Sequence, residues 1–207
     1  MKYLICGCVG YGLGCLNPAY FISKWKHQDI KNTGTGNLGT TNTFINFGKR
    51  WGCFVLLFDM FKAFAAVKIC GMLFPGLMLA EVVAGCMAVI GHIFPFYTGF
   101  KGGKGIASFA GFVLSVEWKL FLMLLIVGCI MAVVVNYGCG ISFSATILFP
   151  VIYSYEMHSV QAFLLLSVCS AVIIYKHMDN IKKIKDGKEM PVRQFLRNYI
   201  FKEKSRE

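Results

Sequence analysis

Charged residues are scarce in this 207-residue chain: only 15% are Asp, Glu, Lys or Arg, where soluble domains carry nearer a quarter. With 57% hydrophobic residues and a mean hydropathy of +0.62, that shortage excludes a soluble globular protein. Acidic residues are fewer still, 10 against 21 Lys and Arg, which leaves a formal net charge of +11. There is no CxxC pair and no Cys/His spacing suited to zinc. The nine Cys lie almost entirely in apolar runs and read as small buried hydrophobes. No internal repeat recurs at a fixed period, so an inverted-repeat transporter has no support from the sequence. Nor does a cleavable leader: one Lys precedes the first apolar run, no convincing small-residue cleavage site follows it, and the run is expected to be retained.

Apolar helix is what the chain has instead. About 20 apolar residues cross roughly 30 Å of hydrocarbon, and candidate spans fall near 3–22, 52–71, 73–96, 118–137, 139–155 and 159–175. A shorter run, 106–116, makes a seventh if it packs as a tilted or partly inserted helix. Seven crossings place the connections 23–51 and 97–105, the break 137–140 and the tail on one side, together with 17 of the 21 basic residues. The positive-inside rule makes that side cytoplasmic, whereas six crossings scatter the charge over both faces. The expected fold is therefore all-α: one polytopic membrane-embedded bundle of about seven helices over 1–207, with a basic cytoplasmic tail from about 176–207. In that tail Ile181, Ile184, Val192, Phe195, Leu196 and Ile200 alternate with basic residues, ten of which fall between Lys176 and Arg206. A surface helix on anionic headgroups and a merely solvated tail both fit. Basic residues that follow topology, with no reading module, argue against nucleic acid as a partner.

Three polar segments carry the chemistry. Gly34, Gly36 and Gly39 form a GxGxxG, but no βαβ unit can be built between membrane spans, so a dinucleotide fold is excluded. Closely spaced Gly still lets backbone N–H groups approach an anion, and Thr35, Asn37, Thr41 and Asn42 add neutral donors; the alternative is an ordinary flexible turn. The second segment runs from His92 to Gly105. It only superficially resembles a Walker A loop, with Thr98 in place of its first Gly and Gly105 in place of the magnesium-binding Ser/Thr. Lys101 and Lys104 among Gly99, Gly102, Gly103 and Gly105 nevertheless make a compact cationic site suited to phosphate. His92 beside it is either a ligand-orienting or a structural residue. The third segment, 176–189, is a basic helix end that converges on the same membrane face. Within the second span, Asp59 and Lys62 stand three residues apart and read as a structural ion pair, while Glu81 in the third span has no unique partner.

Together these segments resemble the bacterial acyl-phosphate:glycerol-3-phosphate acyltransferase family over most of the chain. The resemblance rests on GCLNPAY from Gly14 to Tyr20, on Gly34, Thr35, Gly36, Asn37, Gly39, Thr41 and Asn42, and on Asp59 with Lys62. It also rests on His92 with FKGGKG from Phe100 to Gly105, and on His177 with Asn180, all in the family's order and spacing. It implies a seven-helix bundle in a bacterial plasma membrane, with the site on the cytoplasmic face. The reaction implied is transfer of an acyl chain from acyl phosphate to the 1-hydroxyl of glycerol 3-phosphate in phospholipid biosynthesis, with lysophosphatidate and inorganic phosphate as products. Thr35, Asn37, His92 and Lys104 are the implied catalytic residues. Gly34, Gly36, Gly39, Thr41, Asn42, Lys101, Gly102, Gly103 and Gly105 would cradle phosphate, and Ser142, His177 and Asn180 would seat glycerol 3-phosphate. No cofactor, metal or obligate protein partner is implied, and the lipid bilayer is the surrounding partner.

The chemistry is consistent with that resemblance, because a mixed anhydride is already activated and needs mainly alignment and oxyanion stabilisation. The HxxxxD pattern of the other major glycerolipid acyltransferase class is absent: Asn32, Tyr97, Phe163 and Lys182 stand five beyond His27, His92, His158 and His177. Three positions depart from the family pattern. Thr35 and Thr40 replace the usual Ser and Ala, and Ile45 falls where the family places an Arg expected to contact phosphate. A charge-assisted contact is worth about 1.5–3 kcal/mol, so Ile45 leaves open a paralogue with another hydroxyl acceptor or a hydrolase of acyl phosphate. A small transporter of phosphate esters or lipid headgroups is the non-enzyme alternative, though transporters gather their ionisable groups near the midplane rather than at one face.

Overall fold

The apolar runs fold as helices, and the residues between them as caps and tight turns. The computed structural model describes residues 1–201. Its order is α1 (Lys2–Cys15), α2 (Pro18–Trp25), α3 (Thr40–Phe47), α4 (Lys49–Leu73), α5 (Ala80–Ile93), a 3-10 turn (Phe96–Thr98) and α6 (Ile106–Val116). There follow α7 (Trp118–Val135), α8 (Cys139–Glu156), α9 (Val160–Lys185), α10 (Val192–Phe195) and a π turn (Leu196–Ile200). No strand occurs among the described residues, and the Arg206 end of the basic tail and the Ile200 side chain lie outside them. Lys2–Trp25, Ala80–Thr98, Trp118–Val135 and Val160–Lys185 are long and apolar enough to cross a bilayer. Leu57, Phe61, Ile126, Val134, Val151 and Val168 turn outward, as lipid-facing side chains do in an integral membrane protein.

The first expected span is not one continuous helix. It breaks at Leu16 and Asn17, because Pro18 takes the first position of α2 and the Asn17 side chain caps it, accepting from the Tyr20 N–H at 3.0 Å. A break inside a membrane must satisfy its own backbone. Tyr97 does much of this, its hydroxyl accepting from the Asn17 N–H at 3.1 Å and donating to the Cys15 carbonyl at 2.6 Å.

Small residues let the helices approach. α1 lies along α5, where a Cβ on Gly14 or Gly10 would come within 2.1 Å or 2.3 Å of the Ala88 or Ala84 carbonyl oxygen. Gly111 brings α6 equally close to Met60 on α4. Phe109, Phe112 and Phe149 then fill the centre edge to face, with centroids 5.4 to 6.3 Å apart, against Val89, Ile93 and Leu166.

Two boundaries differ from the sequence expectation. The third span starts at Ala80 rather than 73, because Pro75 and Gly76 end the preceding turn. Glu81 thereby falls in the first turn of α5, where a carboxylate complements the helix dipole. The last span continues to Lys185, so the first part of the basic tail is the end of α9. Gly187, with φ of 66°, reverses the chain, and the Val192 N–H reaches back to the Asn136 carbonyl at 2.9 Å.

Gly14→Ala is expected to lower the thermal midpoint in detergent by an overpacking penalty of about 1–3 kcal/mol. Gly12→Ala, which meets nothing within 4 Å, should leave the midpoint unchanged or slightly higher.

Candidate functional site

Four connections far apart in sequence meet at one end of the bundle around a cavity of about 740 Å³: loop 34–41 with the start of α3, the end of α5 with loop 101–105, the α7–α8 turn, and the end of α9 with the returning segment 188–195. Of the residues singled out in the sequence, Gly34, Thr35, Asn37, Gly39, Thr41, Asp59, His92, Lys104, Gly105, Ser142, His177 and Asn180 line it. Gly36, Asn42, Gly102, Gly103 and Lys101 do not, and Lys101 is exposed.

Those off the wall hold it in shape. The Asn42 carboxamide accepts the Thr35 N–H at 2.7 Å and donates to the Ile30 carbonyl at 2.7 Å, folding loop 34–41 onto α3. Gly34 is needed there, since its φ is 59° and a Cβ would lie 2.2 Å from that same Asn42 oxygen. The Gly102 and Gly103 N–H groups donate to the carbonyls of Ile93 and His92 at 3.0 and 3.1 Å. They close the end of α5 instead of facing an anion, which corrects the expectation that this glycine loop offers those two amides to phosphate. Their lack of a side chain matters for packing: a Cβ on Gly103 would come within 2.0 Å of the His92 Nε2.

The donors that do face the cavity come from elsewhere. α3 begins at Gly39 with no side-chain cap, and a helix start leaves its first amides without carbonyl partners, so Thr40 and Thr41 present an anion-seeking end at the wall. The Thr40 hydroxyl oxygen is buried and has no hydrogen-bond partner among the described residues. Across the cavity Lys104 donates to the Asn180 oxygen, and the Asn180 amide donates to Glu189 at 2.6 Å. Burial holds the Lys104 ammonium below the usual lysine range; Glu189 opposes that shift and Lys183 adds to it.

His177 is held from both sides, its Nδ1 donating to the Ile173 carbonyl at 2.8 Å and its Nε2 accepting from the Ser142 hydroxyl at 3.0 Å. The expected Asp59–Lys62 pair is present at 2.7 Å with Asp59 on the wall and Lys62 behind it, and His92 joins it. Cys139 lines the cavity, and no disulfide forms among the described residues.

Sequence reasoning missed Lys183, Lys188, Glu189 and Phe195 as wall residues. Lys183 reaches the Thr35 carbonyl at 3.4 Å, and its three-residue steps from Asn180 and His177 along one helix face were a usable signal. The other three arrive only through the reversal at Gly187, which no spacing rule announces.

The chain is similar in sequence and fold to known proteins. The family model described as glycerol-3-phosphate acyltransferase matches residues 4–187. A glycerol-3-phosphate acyltransferase of Lactiplantibacillus plantarum is 34% identical, with 91% of each chain covered. One from Prochlorococcus marinus is 35% identical over 89% of this chain and 94% of the relative. The crystal structure of PlsY, an integral membrane glycerol 3-phosphate acyltransferase, in its glycerol 3-phosphate form, superposes with a TM-score of 0.84 at 30% identity. The superposition covers 92% of this chain and 96% of that one.

A phosphate bound beside Lys104 must raise the lysine pKa again, so binding takes up a proton wherever the free lysine is deprotonated. Affinity for inorganic phosphate, measured by calorimetry, is therefore expected to fall as pH rises through the depressed Lys104 pKa, and Lys104→Met should remove that alkaline limb.

Proposed function

This chain belongs to the glycerol-3-phosphate acyltransferase family, and from that premise we propose that its donor is acyl phosphate, its acceptor the 1-hydroxyl of glycerol 3-phosphate, and its products lysophosphatidate and inorganic phosphate. The observation that carries this reading is one cavity lined by two sets of anion-binding groups. One is the start of α3 with loop 34–41, and the other is Lys104 and Asn180 with the His177–Ser142 pair. An acyl transfer between two phosphate-bearing substrates needs both. Ile45, Leu56, Ile106 and Ile141 supply an apolar flank for the chain that is transferred.

The glycerol oxygen attacks the acyl carbonyl carbon, the carbonyl C–O bond to phosphate breaks, and the departing phosphate takes up the hydroxyl proton. The protein holds donor and acceptor in line and offsets the charge that develops on oxygen, with Lys104 and the α3 amides supplying positive potential. Thr35, Asn37 and His92 complete the catalytic wall. Asn42, Gly36, Gly102 and Gly103 act by holding the loops, and Lys101 adds positive charge at the mouth. We place the cavity at the cytoplasmic face of a bacterial plasma membrane, with seven crossings, because its lining is drawn in part from the connections 23–51 and 97–105, the break 137–140 and the tail from 176, which in the sequence hold 17 of the 21 Lys and Arg residues.

Phosphate release from palmitoyl phosphate by the purified protein should depend on glycerol 3-phosphate and match lysophosphatidate formed, read by mass spectrometry. Lys104→Ala should lower it by about 10²-fold or more. Release that ignores the acceptor would mean a hydrolase or another acceptor, and vesicle uptake without transfer would mean a transporter. Ile45 lies on the wall as an apolar residue. Ile45→Arg should therefore tighten the KM for glycerol 3-phosphate about tenfold by adding a charge-assisted contact; an unchanged KM would mean that other groups already hold that phosphate.

A further inference from the structure

We propose that Lys62 is a positioning residue that fixes His92 with its ring proton on Nε2, making His92 a neutral hydrogen-bond donor at the cavity wall, opposite in tautomer to His177.

An ammonium has three N–H donors and no acceptor. Lys62 Nζ has three acceptors in reach: the Leu16 carbonyl at 2.6 Å, Asp59 Oδ1 at 2.7 Å and His92 Nδ1 at 3.0 Å. Asp59, Lys62 and His92 are each no more than 2% exposed. The Leu16 carbonyl and His92 Nδ1 are the Lys62 contacts with hydrogen-bond geometry, so one ammonium proton points at Nδ1, which must then carry a lone pair; Asp59 Oδ1 is an ion-pair contact with no hydrogen bond of its own among the described residues. A proton on Nδ1 would set donor against donor at 3.0 Å; the Asp59 oxygen that would welcome it lies farther away, at 3.3 Å. The ring proton is therefore on Nε2, the edge that lies against Gly103 beside the cavity.

His177 is fixed the other way. A carbonyl can only accept, so the 2.8 Å contact with Ile173 puts the proton on Nδ1 and leaves Nε2 to accept from Ser142. The wall thus carries one histidine that donates from Nε2 and one whose Nε2 accepts from Ser142. In the acyltransferase reading, on which the kinetic part of this inference rests, His92 Nε2–H donates to a phosphoryl oxygen of the acyl phosphate.

The test is nitrogen NMR on histidine-labelled protein in nanodiscs, in a His27→Asn/His158→Asn background. Both residues are exposed, lie off the cavity and have φ of 52° and 48°, a region that Asn accepts. Two neutral rings are expected, one protonated at Nε2 and one at Nδ1. Lys62→Met should move only the first, its proton passing to Nδ1 beside Asp59. kcat should fall about tenfold or more while the KM for glycerol 3-phosphate changes less than about threefold. Two rings both protonated at Nδ1 while Lys62 is present would overturn the inference. So would an unchanged kcat in a folded variant that has lost the Nε2 proton. If Lys62→Met does not fold, Asp59→Asn/Lys62→Met removes both charges together, and the spectrum of the Lys62 protein decides in any case. Failure of the acyltransferase reading is distinguishable, since it abolishes turnover and leaves both tautomers as stated.

Discussion

Burying a lysine and an aspartate in the middle of a helix demands that each be paired, because an ion left alone there costs several kcal/mol. Lys62 meets that demand with Asp59, the carbonyl of Leu16 and His92, while Asp59, ion-paired with Lys62, keeps its Oδ1 without a hydrogen bond among the described residues. Those partners come from three places: α4, the break between α1 and α2, and α5. The pair therefore does more than neutralise itself. It requires the first span to break where it does, since an unbroken α1 would engage the Leu16 carbonyl in its own helix. It also sets the height and roll of α5, and so of loop 101–105, whose Gly102 and Gly103 amides hang on the last carbonyls of that helix.

The division between what could and could not be read from the sequence follows from this. Hydropathy located the helices and charge asymmetry grouped their connections, because both are sums over many residues and tolerate local detail. The break at Asn17 was visible in principle, as Asn-Pro at a helix start, but it lay inside an apolar run and hydropathy averaged over it. The wall was legible where residue type and spacing coincide, as for Thr35, Lys104, His177 and Asn180. It was illegible where the chain doubles back at Gly187, since the positions of Glu189 and Phe195 depend on a single left-handed turn and on the Val192–Asn136 hydrogen bond.

In the glycine loops the expected physical reason differs from the one the structure gives. Closely spaced glycines suggest amides turned to an anion, and in loop 101–105 two of those amides are turned into the bundle. What glycine provides there is the absence of a side chain: His92 and its carbonyl lie where a Cβ would sit on Gly103 and Gly102. Positive potential comes instead from the start of α3 and from Lys104. Both are preorganised, one by helix geometry and the other by its contact with Asn180.

The cavity's place at the end of the bundle, rather than at its middle, is the last consequence of the same constraints. An acyl chain is supplied from the hydrocarbon, whereas a glycerol phosphate arrives from water and cannot be drawn far into lipid without losing hydration that the protein must replace. A wall shared by both has to lie where α4 and α6 still offer apolar side chains such as Leu56 and Ile106 and where the connecting loops already offer polar ones. Behind the wall a cation must find its partners within the protein, as Lys62 does with Leu16, Asp59 and His92. At the loop end Lys104 and the first amides of α3 retain capacity for a ligand, and that residual capacity is what separates a binding site from a buried ion pair.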